Sequence, residues 1–224
     1  PQIWLVTQPL FYIEQIKYAI NLVNKALDYD PHHEFALGLS IFAPIILFQE
    51  ESSYFGEKTS TIQTAQAAIA LRSVAQNIKT IANEHPHSPF SKMVVGFYYW
   101  MRSHWPSISD KNDRDNANSL LEEAWEDVKI YKGADASEFS MNLITYQFLS
   151  SVLPQFYNSN GEFKKSISVI ENSKCPNEGY GCLPLEILDD RIFLLYQANG
   201  YEETLLAVED MFNKTQEDFI VEGI

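Results

Sequence analysis

Apolar residues recur at three- and four-residue spacing through nearly every long segment of this chain, and clusters of Gly, Pro, Asn or Ser break those segments at fairly regular intervals. Such spacing lays one apolar stripe along an α-helix, and no segment shows the two-residue alternation of a half-buried strand. The expected fold class is all-α. The spacing predicts helices over Pro9–Tyr29, His33–Gln49, Thr59–Glu84, Pro89–His104, Asp113–Tyr131, Ser137–Tyr157, Gly161–Ser173, Leu183–Asn199 and Tyr201–Asp218. The run from Ser109 to Asp115 is rich in N-cap residues, and Gly200 ends one helix where another begins.

One stripe returns along the chain. Spacings of four, three and five residues join Ala19, Val23, Ala26 and Pro31, and again Val74, Ile78, Ile81 and Pro86. Partial copies follow at Ala117, Leu121, Ala124, at Ser166, Ile170, Ser173, and more weakly at Thr204, Val208, Met211. Small or medium residues at the first and last positions let a helix lie close to the helix before it. A proline then ends it before the next begins.

The segment Ala26-Leu27-Asp28-Tyr29-Asp30-Pro31 leading into Phe35-Ala36 resembles the end of a tetratricopeptide (TPR) repeat. Val95-Gly96-Phe97-Tyr98-Tyr99 resembles the Leu-Gly-x-x-Tyr of its first helix, and Gly161-Glu162-Phe163 with Ser166, Ile170 and Ser173 is similar to its second. The resemblance implies antiparallel helix pairs stacked as an irregular TPR-like right-handed solenoid, one repeat domain over residues 1–224; the opening at Pro1 without a methionine adds the expectation that it is part of a longer protein. Successive stripes start farther apart than the roughly 34 residues of a standard repeat, so the helices are long or the loops carry insertions.

In the register of that family, the groove-lining positions of one first helix are Phe90, Met93, Phe97, Trp100 and Met101. The preceding first helix contributes Phe35, Leu39, Phe42, Ile45 and Ile46. None of these is charged, so a clamp for charged peptide tails is disfavoured. Two readings follow: an apolar groove for a protein, a peptide or a small apolar ligand, or central helices whose aromatic residues are core.

Charge narrows the partners. The 224 residues include 16 basic and 30 acidic side chains, a formal net charge of −14, which repels nucleic acid and anionic membranes. A neutral or basic partner is favoured. Phe35 to Phe48 is the longest apolar stretch, shorter than the roughly 20 residues that span a bilayer, and is read as a buried helix.

Cys175 and Cys182 share the segment CPNEGYGC, and either close a small loop in an oxidising compartment or remain two unrelated thiols. The cysteine pair tilts the expected compartment toward the periplasm or another extracytoplasmic space, with the cytoplasm as the alternative. His32, His33, His85, His87 and His104 lack the i,i+4 spacing of a metal site, and the pairs His32/His33 and His85/His87 fall at predicted helix junctions, where a His is expected to cap carbonyls. Asn213-Lys214-Thr215 matches the glycosylation pattern.

The acidic pairs, such as Glu122-Glu123, Glu126-Asp127 and Glu209-Asp210, fit solvated helix faces. No nucleophile elbow, phosphate-binding loop or dinucleotide fingerprint occurs, so no enzyme activity, cofactor or metal is expected. The expected function is a non-enzymatic module that binds a protein or peptide partner. The alternative is a ligand- or pH-sensing extracytoplasmic domain of a larger, membrane-anchored transcriptional regulator. Apolar end segments at Ile3–Val6 and Phe219–Val221 make a homodimer one further expectation.

Overall fold

The computed structural model describes residues 2–54, 68–104, 108–131 and 141–173, together with scattered positions between 192 and 209; of residues 2–12, 48–54, 131 and 171 it describes the backbone only. Every regular element among them is helical. The cysteine pair, the glycosylation triplet and both apolar end segments lie outside the described side chains.

Helix α1 spans Gln2–Tyr29, α2 Glu34–Tyr54, α3 Ala75–Glu84, α4 Pro89–Ser103, α5 Asp113–Val128, α6 Met141–Ser159 and α7 Phe163–Asn172. A 3₁₀ turn, Lys129–Tyr131, follows α5, and residues 68–73 are helical just before a turn at Val74. The expected Thr59–Glu84 helix is thus broken at Val74. Helix α1 runs through Pro9 instead of starting there. A proline forfeits one backbone bond while the flanking turns keep theirs, and α2 and α6 likewise run through Pro44 and Pro154.

The junctions obey local chemistry. Ser88 caps α4, its hydroxyl accepting from the Ser91 N–H, with Pro89 at the first helical position, where a missing N–H costs nothing. After α6 the chain reverses at Gly161, whose φ of +75° is left-handed, and the Glu162 N–H closes the turn on the Tyr157 carbonyl at 2.8 Å.

The contacts form two compact units, Pro1–Ala124 and Trp125–Ile224, divided inside α5. In the first, α1 packs on α2, α2 packs on both α3 and α4, and α3 packs on α4. Its core includes Leu37, Ile41, Ile45, Val74, Ile81, Phe90, Met93, Val94 and Leu121, each no more than 2% exposed. The apolar stretch that begins at Phe35 is therefore a helix with one face in that core.

In the second unit α6 packs on α7. Leu149, Leu153 and Phe156 are fully buried, and the Trp125 and Tyr146 rings stack at 5.7 Å. Ser166 and Ser173 replace apolar residues in the α7 stripe without leaving bare hydroxyls. Ser166 Oγ donates to the Pro154 carbonyl at 3.2 Å and Ser173 Oγ to the Val169 carbonyl at 2.7 Å. The Pro154 carbonyl thereby ties α6 to α7.

Candidate functional site

Two aromatic pairs join α2 to α4. Phe35 meets Phe90 with ring centroids 5.7 Å apart, and about two turns further along each helix Phe42 meets Phe97 at 5.3 Å. Phe97 then contacts the edge of Trp100 at 5.7 Å, and Trp100 contacts the His104 ring at the same distance. Offset and tilted rings of this kind add to the gain from burial alone.

Gly38 makes the approach possible. A Cβ there would collide with the Phe90 ring, so only glycine lets that ring lie against the α2 backbone. Gly96 does the same one pair later, where a Cβ would stand 2.9 Å from Leu121 Cγ of α5. Gly96 was legible from the Leu-Gly-x-x-Tyr resemblance. Gly38 was missed, although a glycine inside an apolar helical pattern, in Leu37-Gly38-Leu39, is the usual signal of close backbone approach.

The ten groove positions divide by burial. Phe90 and Met93 are 1%, Ile45 2%, and Phe42 and Phe97 7% exposed, so these five are buried where α2 meets α4. They are core side chains, because the facing helix occupies the space that a groove would leave. Phe35, Trp100 and Met101 are half-buried. With Leu39, Ala43 and Ile46, also half-buried, they form an apolar margin along both helices.

The histidines meet in a way that their spacing does not reveal. His85, at the end of α3, points Nε2 at the carbonyl oxygen of His32 at 2.9 Å, which fixes Nε2 as the donor nitrogen. Its Nδ1 lies 3.8 Å from the Glu34 carboxylate, and His32 Nδ1 lies 3.8 Å from that of Glu84. His33 caps the start of α2 by accepting from the Ala36 N–H at 3.3 Å, and His104 reaches the Trp100 carbonyl at 2.8 Å. His85 thus meets a carbonyl as expected, whereas His33 caps a donor where a carbonyl is expected. Among the described residues no group of three or more His, Cys, Asp or Glu side chains is placed to hold a metal ion.

One ion pair stands out by burial. Asp113, fully buried at the start of α5, accepts from Arg102 Nε at 2.7 Å, from Arg102 Nη2, and from the Asp110 N–H at 2.7 Å. The helix N-terminus favours the same negative charge. The Asp113 carboxylate raises the Arg102 guanidinium above its ordinary pKa, against the opposing effect of burial. The guanidinium also lies 5.4 and 5.1 Å from the ring centroids of Tyr98 and Tyr99. The end of α4 is thus pinned to the start of α5.

A pocket of about 440 Å³ opens among α3, α4 and α5, lined by Ser91, Lys92, Val95, Tyr99, Asn116 and Leu120 among others. At its edge Lys92 pairs with Glu123 at 3.4 Å, and Ser119 Oγ donates to the same carboxylate at 3.0 Å. The pocket mixes polar and apolar side chains in its lining. Sequence reasoning found neither it nor the Arg102–Asp113 pair, since both depend on which helices become neighbours. The acidic residues Glu123, Glu126, Asp127, Glu202 and Glu209 are exposed, as expected for solvated faces.

No helix among the described residues is long and apolar enough to cross a membrane. No protein-family model, curated protein or solved structure matches the chain.

Proposed function

We propose that the chain is a non-enzymatic helical-repeat module, built of antiparallel helix pairs in an irregular TPR-like right-handed solenoid, that binds a protein or peptide partner. Support for the arrangement comes from the order of packing in the first unit: α2 packs on α3 and on α4, and α3 packs on α4. Such nearest and next-nearest neighbours are what stacked helix pairs produce. In this reading α2, α4 and α6 are the first helices and α1, α3, α5 and α7 the second.

The observation that carries the binding reading is the half-buried apolar margin of Phe35, Leu39, Ile46, Trp100 and Met101 on the adjoining first helices α2 and α4. Phe42, Phe90, Met93 and Phe97 form its rigid base. A half-buried tryptophan and methionine over such a base suit the apolar face of an amphipathic helix. The acidic charge of the chain favours a partner with a neutral or basic outer face.

Selection from a displayed library of amphipathic helical peptides tests this. Enriched peptides should carry apolar anchors with basic flanks, and Trp100→Ala should weaken them by about tenfold or more. No enrichment, or binding indifferent to both Trp100→Ala and Met101→Glu, would overturn the reading.

The pocket among α3, α4 and α5 supports a second reading, a ligand-sensing extracytoplasmic domain of a larger membrane-anchored regulator. Its mixed polar and apolar lining suits a small molecule with both characters. A thermal-shift screen of such molecules should then raise the melting temperature, and Val95→Trp, which fills the pocket, should abolish the rise.

A further inference from the structure

The four-three stripe that defines the second helices is buried in three of them and open in the first. In α5, Ala117, Leu121 and Ala124 are 0% exposed; around α3, Val74, Ile78 and Ile81 are no more than 5% exposed; in α7 the same holds for Ser166, Ile170 and Ser173. In α1 only Val23 is buried, whereas Ala19 and Ala26 are exposed. Beside them Tyr18 is 65%, Leu22 47% and Tyr29 94% exposed.

These exposed residues share one side of α1. Ala19, Leu22, Ala26 and Tyr29 follow a three-four-three spacing, the seam of a paired helix, with Tyr18 flanking it. The buried side, with Ile13 and Val23, faces elsewhere on the helix and packs on α2. Two alanines seven residues apart leave room for a second backbone at close range, and Leu22 stands between them as a knob.

We infer that this face binds the same face of a second copy of the chain, α1 against α1 in antiparallel sense about a two-fold axis at Leu22. Three observations select a second copy. The seam is self-complementary: turning α1 end over end about Leu22 returns alanine to the neighbourhood of alanine and brings each Tyr29 beside the start of the partner's seam. Charge permits it, because residues 13–29 contain Glu14, Lys17, Lys25 and Asp28, two acids and two bases, within a chain of net charge −14. Two such acidic molecules approach at least cost where the local charge is nil, and antiparallel helix dipoles also attract.

The area suffices for a modest dimer. Two largely exposed tyrosines and a half-exposed leucine on each copy bring the pair to on the order of 1,000 Å², the lower limit for a specific interface. This surface is separate from the α2–α4 margin, and neither proposal depends on the other.

Sedimentation equilibrium on the full chain between about 1 and 100 μM tests the inference, with p-benzoylphenylalanine in place of Leu22 as a photocrosslinker. The expected result is a monomer–dimer equilibrium, a covalent dimer on irradiation whose crosslink maps to residues 15–29 of the second copy, and at least a tenfold weaker association for Ala26→Glu. A chain that stays monomeric to 100 μM overturns it. So does a dimer that Ala26→Glu leaves intact, or a crosslink that maps outside α1. Should Ala26→Glu lower helicity, the crosslink alone decides.

Discussion

Helices α1 and α5 carry the same stripe and treat it in opposite ways. Ala117, Leu121 and Ala124 are sealed, with Leu121 filling the gap that Gly96 leaves, while Ala19 and Ala26 face solvent. The difference teaches that the spacing encodes the ability to receive a helix. Whether a helix is received depends on a partner element. The buried copies contribute to folding, and the open copy is free to contribute to assembly.

The sharpest way to break the comparison is to remove what holds α5 in place. Arg102→Met leaves the Asp113 carboxylate buried without its main partner, and such loss costs about 3–5 kcal/mol. Chemical denaturation should show that loss, and Arg102→Met with Asp113→Leu should recover much of it. A loss under about 1 kcal/mol would mean that α5 is held by its apolar stripe alone.

A smaller effect separates the two stripes directly. Leu121→Ala empties a fully buried site and should cost about 2–5 kcal/mol. Ala19→Ser, at the exposed stripe, should stay within about 0.5 kcal/mol at concentrations where the chain is monomeric. Equal losses would show that α1 is covered in solution even in the monomer.

The smallest effect lies in the second unit and concerns pH. The Tyr146 hydroxyl is buried. Burial raises its pKa above the ordinary tyrosine value, and the nearby Ser173 hydroxyl offsets part of the rise. The folded state therefore keeps a proton that the unfolded state gives up. The associated stability is complete below about pH 10 and is lost as pH rises through the folded value. Melting curves from pH 7 to 11 should show Tyr146→Phe losing less stability on the alkaline side than the unaltered chain. Parallel curves would place the hydroxyl in contact with water.

Much of the fold was readable from spacing. The stripe positions of α3, α5 and α7 were named from a four-three pattern, and all are buried, because a helix with a continuous apolar or small face has few other ways to hide it. The junctions were readable too, since Pro31, Pro86 and Gly161 act through their own backbones. Less of the candidate site was readable. The same helical pattern suits a groove and a core, and the packing of α2 on α4 put Phe42, Phe90, Met93 and Phe97 in the core while leaving Phe35, Trp100 and Met101 at the margin. Gly38 was the local clue to that packing.

Local sequence sufficed for the helical class, the turns at Pro31, Pro86 and Gly161, the acidic surface and the stripe that makes one helix able to accept another. These follow from interactions within a few residues of chain. Only the tertiary structure decided which stripes are covered, which aromatic residues remain at the surface, that His85 reaches the carbonyl of His32, and that Arg102 secures Asp113. Each of those depends on which helices become neighbours, and burial is a property of the neighbour as much as of the residue itself.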